Sequence, residues 1–353
     1  MTMSSTGQDV RQNPALGQPI LSVNRLTVDL DGADVQRGLV QDVTFDVFPN
    51  RTLALIGESG CGKTMTAMAL LGLLPPAIHV SGGTAMFEGR DLLTLRPREL
   101  RQVRGGSIGM IFQDPMSSLN PTMKVGDQII EARRLHIDEP RSAAAKRAVE
   151  LLDQVGIPNP AQRVDAYPFE MSGGMQQRVM IAVSIACDPK ILIADEPTTA
   201  LDVTIQAEIL DLLATLQTDL GMGILLVTHD LGVVADFAND VAVMYAGDLV
   251  ELGSIRDVFH HPQHPYTEGL LNAMPQGAEP RSQLSIVRGR VPMAGQFPEG
   301  CRFRTRCPHA QEQCRRNELA TVDVRVGHRS RCLLVQSRQV SLAPRTAGST
   351  TNA

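Results

Sequence analysis

The sequence predicts an α/β fold: a mostly parallel sheet with an antiparallel β flank, a helical insertion and a small cysteine-containing C-terminal module. Three observations carry this. Short buried-type runs such as Leu53-Ala54-Leu55-Ile56, Ile191-Leu192-Ile193-Ala194 and Gly223 to Thr228 alternate with helical periodicity. Polar side chains gather just beyond the carboxyl ends of those runs, where open parallel sheets bind ligands. A glycine-rich turn joins one run directly to an apolar helix.

The chain has 353 residues, enough for two domains or one large domain with an appendage. Its hydrophobic fraction of 43% and charged fraction of 20% are those of a globular chain, and a net charge of -5 gives no global attraction to nucleic acid. No run of about 18 apolar residues occurs, so no spanning helix is expected. Met1 to Gln18 is polar and lacks an apolar signal core. Residues 1–19 are therefore expected to form a disordered cytoplasmic tail.

Along the chain, Ile20 to Val47 alternates apolar and polar residues around an Asp31-Gly32 turn, as paired antiparallel strands do. Arg51 to Ile56 follows as a buried strand, and Met65 to Leu74 as an apolar helix. Short strands come next, with glycine-rich turns expected at Gly82-Gly83 and Gly89. Ser107 to Gln113 is a strand ending in a glutamine. From Asp114 to about Met171, helical periodicity through Ile129–Leu135 and Arg141–Val155 marks a helical subdomain. The core resumes with the strand Ile191–Glu196, the amphipathic helix Val203–Leu220 and the strand Gly223–Thr228, followed by His229-Asp230. His260-His261-Pro262-Gln263-His264-Pro265 reads as a proline-bounded hinge rather than a metal site. Residues 20–259 thus form one domain, 260–336 a C-terminal module, and 337–353 a flexible Ser/Thr tail.

Gly57-Glu58-Ser59-Gly60-Cys61-Gly62-Lys63-Thr64 matches G-x-x-x-x-G-K-[ST] in full. Its glycines let backbone N–H groups wrap a phosphate, Lys63 supplies a point charge, and the Thr64 hydroxyl suits Mg2+. This loop predicts binding of a nucleoside triphosphate. Asp195 and Glu196 close a hydrophobic strand, where one acid can help hold the metal and the other can polarise an attacking water. Met171-Ser172-Gly173-Gly174-Met175-Gln176-Gln177-Arg178 opens a second helix, expected to start near Met175, with another anion-binding N-terminus. One triphosphate needs no second such site unless it faces a partner's nucleotide.

On these residues the sequence resembles the ATP-binding-cassette (ABC) ATPases, over roughly Ile20 to Phe259. The resemblance implies a P-loop NTPase with a RecA-like core. It implies ATP held by Gly57, Ser59, Gly60, Cys61, Gly62, Lys63 and Thr64, with Mg2+ served by Thr64, Gln113 of the Q-loop and Asp195. Glu196 would be the general base, with Lys63 and His229 at the γ-phosphate. Ser172, Gly173 and Gly174 would cap the nucleotide of the other subunit, beside a D-loop at Ala200-Leu201-Asp202. Two features depart from the family pattern: Leu30 stands where an aromatic usually stacks on adenine, and Met171 and Met175 replace the commonest signature residues.

His264-Pro265-Tyr266-Thr267 and Gly300-Cys301-Arg302-Phe303-x-x-Arg306-Cys307-Pro308 resemble the C-terminal extension of ATP-binding subunits of oligopeptide/dipeptide importers, which nickel importers share. Four cysteines, Cys301, Cys307, Cys314 and Cys332, crowd this segment, and in a cytosolic protein such a group suggests metal more than disulfides. Some members of this subfamily carry a 4Fe-4S cluster. The spacing lacks a tight C-x2-C pair, so a cluster is preferred here, with Zn2+ or reduced thiols as alternatives. Arg302, Arg304, Arg306, Arg315 and Arg316 lack interleaved aromatics and read as a solvated basic face, not a nucleic-acid patch.

The resemblance implies ATP hydrolysis that powers di-/oligopeptide import, with nickel as the alternative cargo. It implies a related second ATPase subunit in a heterodimer, two transmembrane permease subunits, and an extracytoplasmic substrate-binding protein reached through them. The place of work would be the cytoplasmic face of the membrane, with no nucleic acid. A soluble non-transport ABC ATPase would show a coiled-coil insertion, a fused second cassette or a strongly basic surface. The sequence has none of these.

Overall fold

The computed structural model describes residues 17–32, 38–114, 118–199, 201–274, 287–316 and 319–342. Ala200 and most of both expected tails lie outside the described residues. In chain order come β1 (Leu21–Leu30), β2 (Val40–Val47), β3 (Thr52–Ile56), α1 (Lys63–Leu70), β4 (Ile78–Phe87), β5 (Arg90–Asp91), α2 (Pro97–Val103) and β6 (Ile108–Ile111). The helical subdomain contributes α3 (Val125–Arg134), α4 (Arg141–Gln154) and α5 (Pro160–Arg163). Then follow α6 (Gly173–Ser184), β7 (Ile191–Asp195), α7 (Val203–Leu220), β8 (Gly223–Thr228), α8 (Leu231–Phe237), β9 (Asp240–Tyr245) and β10 (Asp248–Ser254). Last are α9 (Ile255–His260), α10 (Pro265–Asn272), β11 (Val322–Arg325), β12 (His328–Ser330) and α11 (Leu333–Gln336).

The sheet runs β5-β4-β1-β2-β10-β9-β3-β8-β7-β6. Its half from β9 to β6 is parallel, and the half from β5 to β2 is antiparallel. Burial follows that division. β1 alternates buried and partly exposed residues, whereas β3, β7 and β8 are buried throughout because both faces are covered. Alternation along these strands then sorts the core. Leu53, Leu55, Ile193 and Val227 join α1 and the antiparallel flank, while Leu192, Ala194 and Leu226 join the helical subdomain, α6 and α7.

Gly82 and Gly83 are not in a turn; both lie inside β4. The pairing of β4 with β1 slips there, from Asn24↔Thr84 to Thr27↔Gly82, which marks a bulge. Gly83 sits at φ 95°, and a Cβ on it would fall 2.5 Å from the Arg25 carbonyl oxygen. Only glycine fits.

The Pro/His stretch between α9 and α10 is a packed joint, not a hinge. His264 is buried and its Nδ1 accepts from the Tyr266 N–H at 3.1 Å. Beyond it, β12 pairs with β10 (Glu251↔Ser330), and Tyr266 and Phe303 pack edge-on against Tyr245 of β9. The tail's described residues stay attached, since Gln313 donates to Gln339 at 2.8 Å and Leu342 is buried. Among the described residues, no helix is long and apolar enough to cross a membrane.

Candidate active site

The centre of the parallel sheet delivers the chemistry. β3 ends at Ile56, and the loop from Gly57 to Gly62 leads into α1, placing backbone N–H groups and the helix dipole where a phosphate would rest. Gly57 is pressed against β9, and Gly62 takes φ 102° at the N-cap of α1. The Lys63 ammonium is buried and donates to the Gly57 and Glu58 carbonyls at 2.8 and 3.2 Å. Cys61 is buried beneath the loop, and that burial pushes its thiol pKa up, away from reactivity. Ser59 and Gly60 lie exposed at the loop's crest.

Next to α1, β7 brings its two acids to the same edge. Thr64 donates to Asp195 Oδ1 at 3.2 Å, an oxygen pair of the hard type that suits Mg2+. Burial raises the Asp195 pKa, opposed by the Thr64 hydrogen bond and the Lys63 charge. Glu196 follows in the left-handed region, at φ 48°, with its N–H bonded to the Val227 oxygen of β8 at 2.8 Å. The strand ends one residue earlier, at Asp195, so Glu196 sits on the turn that leaves the sheet. Gln113 Nε2 donates to Oε2 at 3.0 Å, Thr199 Oγ1 to the same oxygen at 2.9 Å, and His229 Nδ1 lies 2.9 Å from Oε1.

Burial pushes the Glu196 pKa up, but the His229 and Thr199 hydrogen bonds outweigh it and hold the carboxyl below its ordinary value. These bonds favour the ionised form. Thr199→Ala should therefore move the acid limb of the kcat–pH profile of ATP turnover towards neutral pH, as a pH series on both proteins would show.

Lys63, Thr64, Gln113, Asp195, Glu196 and His229 thus meet at one edge. Ser172, Gly173, Gly174 and Asp202 sit apart from that hydrogen-bond cluster. Ser172 caps α6, which begins at Gly173 rather than near Met175, and its hydroxyl accepts from the Met175 N–H at 3.4 Å. A Cβ on Gly173 would meet only open space, whereas Gly174 faces Ile205 of α7. Asp202 caps α7, accepting from the Ile205 N–H at 3.0 Å. The link between the two groups is Gln177, whose side chain donates to the Pro197 carbonyl at 2.6 Å. Leu30 stands at the far end of β1 and is 39% exposed, so it keeps an aliphatic surface open there.

The C-terminal segment departs from expectation. Arg304, Arg315 and Arg316 lie at the surface, but Arg302 and Arg306 are only 5% exposed at their side chains and do not belong to a solvated face. Arg302 donates to the carbonyls of Ala246 and Gly38 and to the Gln41 side chain, and lies 3.6 Å from Asp248. Arg306 pairs with Glu58 of the phosphate loop at 3.0 Å, and the Tyr266 hydroxyl accepts from the Glu58 N–H at 2.9 Å. Sequence patterning missed the contacts of Tyr266 and Arg306 with the phosphate loop because Glu58 lies 208 and 248 positions before them.

Cys301, Cys307, Cys314 and Cys332 line one pocket together with His264, Phe303 and Arg331, and all four are free thiols. Burial pushes the Cys301 thiol up to about 12 and the Cys307 thiol up to about 11. The donor chemistry fits a soft metal centre, since four thiols face one apolar enclosure. Even so, no group of three or more His, Cys, Asp or Glu side chains that could hold a metal ion forms among the described residues. Neither the 4Fe-4S nor the Zn2+ expectation is met by an assembled ligand set.

Comparison with known proteins agrees with this geometry. Residues 40–199 match the family model described as ABC transporter, and residues 250–314 match that described as oligopeptide/dipeptide transporter, C-terminal region. The dipeptide transport ATP-binding protein DppD of Bacillus subtilis (strain 168) is 47% identical over 302 residues, 85% of this chain and 90% of that protein. Its namesake in Escherichia coli (strain K12) is 45% identical over 313 residues, 89% of this chain and 96% of that protein. Among solved structures, cbiO1 from Clostridium perfringens, part of the ABC transporter complex cbiONQ, superposes with a TM-score of 0.59. It is 28% identical, covering 68% of this chain and 90% of its own. MJ0796, a bacterial ABC transporter cassette solved as a dimer, also gives 0.59, at 25% identity over 67% of this chain and 99% of its own. With its phosphate loop, paired acids and C-terminal extension all in place, the chain belongs to the ABC ATPases, in the branch of oligopeptide/dipeptide transport ATP-binding proteins.

Proposed function

We propose that the chain hydrolyses ATP to power import of di- or oligopeptides through a membrane transporter. The observation that carries the ATPase step is the Glu196 carboxylate, held in its ionised form by His229 and Thr199 at the sheet edge that also bears an intact phosphate loop. Lys63 and the loop amides from Gly57 to Thr64 bind the phosphates, with Ser59, Gly60, Cys61 and Gly62 forming the wrap. Thr64 and Asp195, with Gln113 on the neighbouring Glu196 carboxylate, would hold Mg2+, which when bound would supply neutralisation of the phosphate charge. Glu196 takes a proton from the attacking water as its oxygen bonds to the γ-phosphorus. The β–γ bridging bond then breaks, giving ADP and phosphate. His229 orients Glu196 and faces the developing charge on the γ-phosphate.

Ser172, Gly173 and Gly174 have no role at their own chain's loop, which fits a head-to-tail dimer in which they and Asp202 close the partner's nucleotide. The partner in this reading is a related ATPase subunit. The pair sits at the cytoplasmic face of the membrane on two permease subunits, which receive cargo from an extracytoplasmic binding protein. Nucleic acid has no place in this scheme.

Cells lacking this chain should lose uptake of labelled di- and oligopeptides and regain it when the chain is restored. Unchanged peptide uptake with lost nickel uptake would replace the cargo. Recovery of the protein in the soluble rather than the membrane fraction would sink the transporter reading altogether.

For the C-terminal segment we propose a structural 4Fe-4S cluster on Cys301, Cys307, Cys314 and Cys332. The support is that the four free thiols line one pocket and lack a C-x2-C pair; their ligand set would have to draw together on binding. Protein prepared without oxygen should contain iron and acid-labile sulfide in equal amounts, lost together when Cys301 is replaced by Ser. Stoichiometric zinc, or neither metal, would overturn it.

A further inference from the structure

One peptide unit of the phosphate loop is bonded at both ends. The Gly57 carbonyl accepts from the Lys63 ammonium at 2.8 Å, and the N–H of the same unit, on Glu58, donates to the Tyr266 hydroxyl at 2.9 Å. Tyr266 is fully buried, with its ring fixed against Tyr245 and Phe303. The Glu58 side chain is held separately, by Arg306 at 3.0 Å. Arg306 cannot swing freely, because its remaining nitrogens donate to the Arg288 and Val287 carbonyls at 2.8 and 3.1 Å and it lies against the Tyr245 ring. Two side chains from the C-terminal segment therefore grip the loop on the side opposite Lys63.

We propose that Tyr266 and Arg306 are positioning residues for ATP: they hold the Gly57–Glu58 peptide, and through it Lys63, in the orientation that receives the phosphates. This rests on the ATPase reading but not on the identity of the cargo or on what fills the cysteine pocket. The physical reason is preorganisation. A loop rich in glycine visits many backbone conformations, and any disorder left before binding must be removed when the phosphates arrive, at the expense of affinity. The grip contacts the loop and not the reacting atoms, so it acts on the bound ground state and the transition state alike. Its loss should therefore appear in KM and Kd for ATP and leave kcat nearly untouched.

Tyr266→Phe is the decisive variant, because it keeps the packed ring and removes only the hydroxyl. Titration of the full-length chain with ATP and Mg2+ should show Kd raised roughly three- to tenfold, and the assembled ATPase should keep its kcat within about twofold. Arg306→Ala should raise Kd by more than Tyr266→Phe does, roughly tenfold, since the half-buried Glu58 carboxylate loses its charged partner. Arg306→Lys should restore part of the loss through charge alone.

A purely structural docking role predicts something different: a lowered melting temperature with Kd unchanged. If Tyr266→Phe and Arg306→Lys both bind ATP like the parent protein, the proposal is wrong, even if Arg306→Ala fails to fold. A drop in kcat at unchanged KM would also overturn it. A parent chain that binds and hydrolyses ATP but moves no peptide would sink the transport reading and leave this one standing.

Discussion

Glu196→Gln should cut ATP turnover roughly a thousandfold, about 4 kcal/mol of barrier, while ATP remains bound. The amide is nearly isosteric with the acid. Its oxygen can still accept from Gln113 and Thr199, and its NH2 can face His229 with the imidazole in the accepting tautomer. Geometry is kept and basicity is lost. Single-turnover experiments with labelled ATP would read this directly, as intact ATP recovered from the protein where the parent yields ADP. Turnover at the parent rate would remove Glu196 from its proposed role and point to solvent or substrate as the proton acceptor.

Gly57→Ala should nearly abolish nucleotide binding and also destabilise the fold, by about 2–4 kcal/mol. A Cβ at this position would stand 2.2 Å from the Met244 carbonyl oxygen and 2.7 Å from Cys61 Sγ, at φ 152°. Relief requires either the loop or β9 to retreat. β9 is central to the sheet and its partner β3 carries the loop, so the loop must yield. The melting temperature and the ATP affinity should therefore fall together. Gly60→Ala provides the contrast: its Cβ would meet nothing within 4 Å, leaving only the cost of φ 78°.

Much of this architecture is legible in the sequence because the signals are local. β3, β7 and β8 each carry four consecutive apolar residues, as a strand covered on both faces does. α7 spans Val203–Leu220 as its periodicity predicts, with Asp202 as cap and Gly221 in the left-handed region at its end. The phosphate loop and the acids after β7 announce themselves by type and spacing. What could not be read depends on distant partners. Arg306 lies in an arginine-rich stretch that looks solvated, yet Glu58, two backbone carbonyls and a tyrosine ring bury it. β12 has three residues, too few for alternation to show, and is a strand through its pairing with β11 and β10. Gly82 and Gly83 signal a turn by composition, but the slip against β1 makes them a bulge.

The grip on Glu58 also sets an order of events during synthesis. The loop leaves the ribosome long before Tyr266 and Arg306, which lie 208 and 248 positions further along the chain. A nascent chain therefore carries its glycine-rich loop for most of translation with the Tyr266 and Arg306 restraints still unmade. Completion of the nucleotide site is then a late event, coupled to arrival of the segment that bears the cysteines. A chain that stops short of that segment makes a cassette with every motif of the trade and an unfinished cradle.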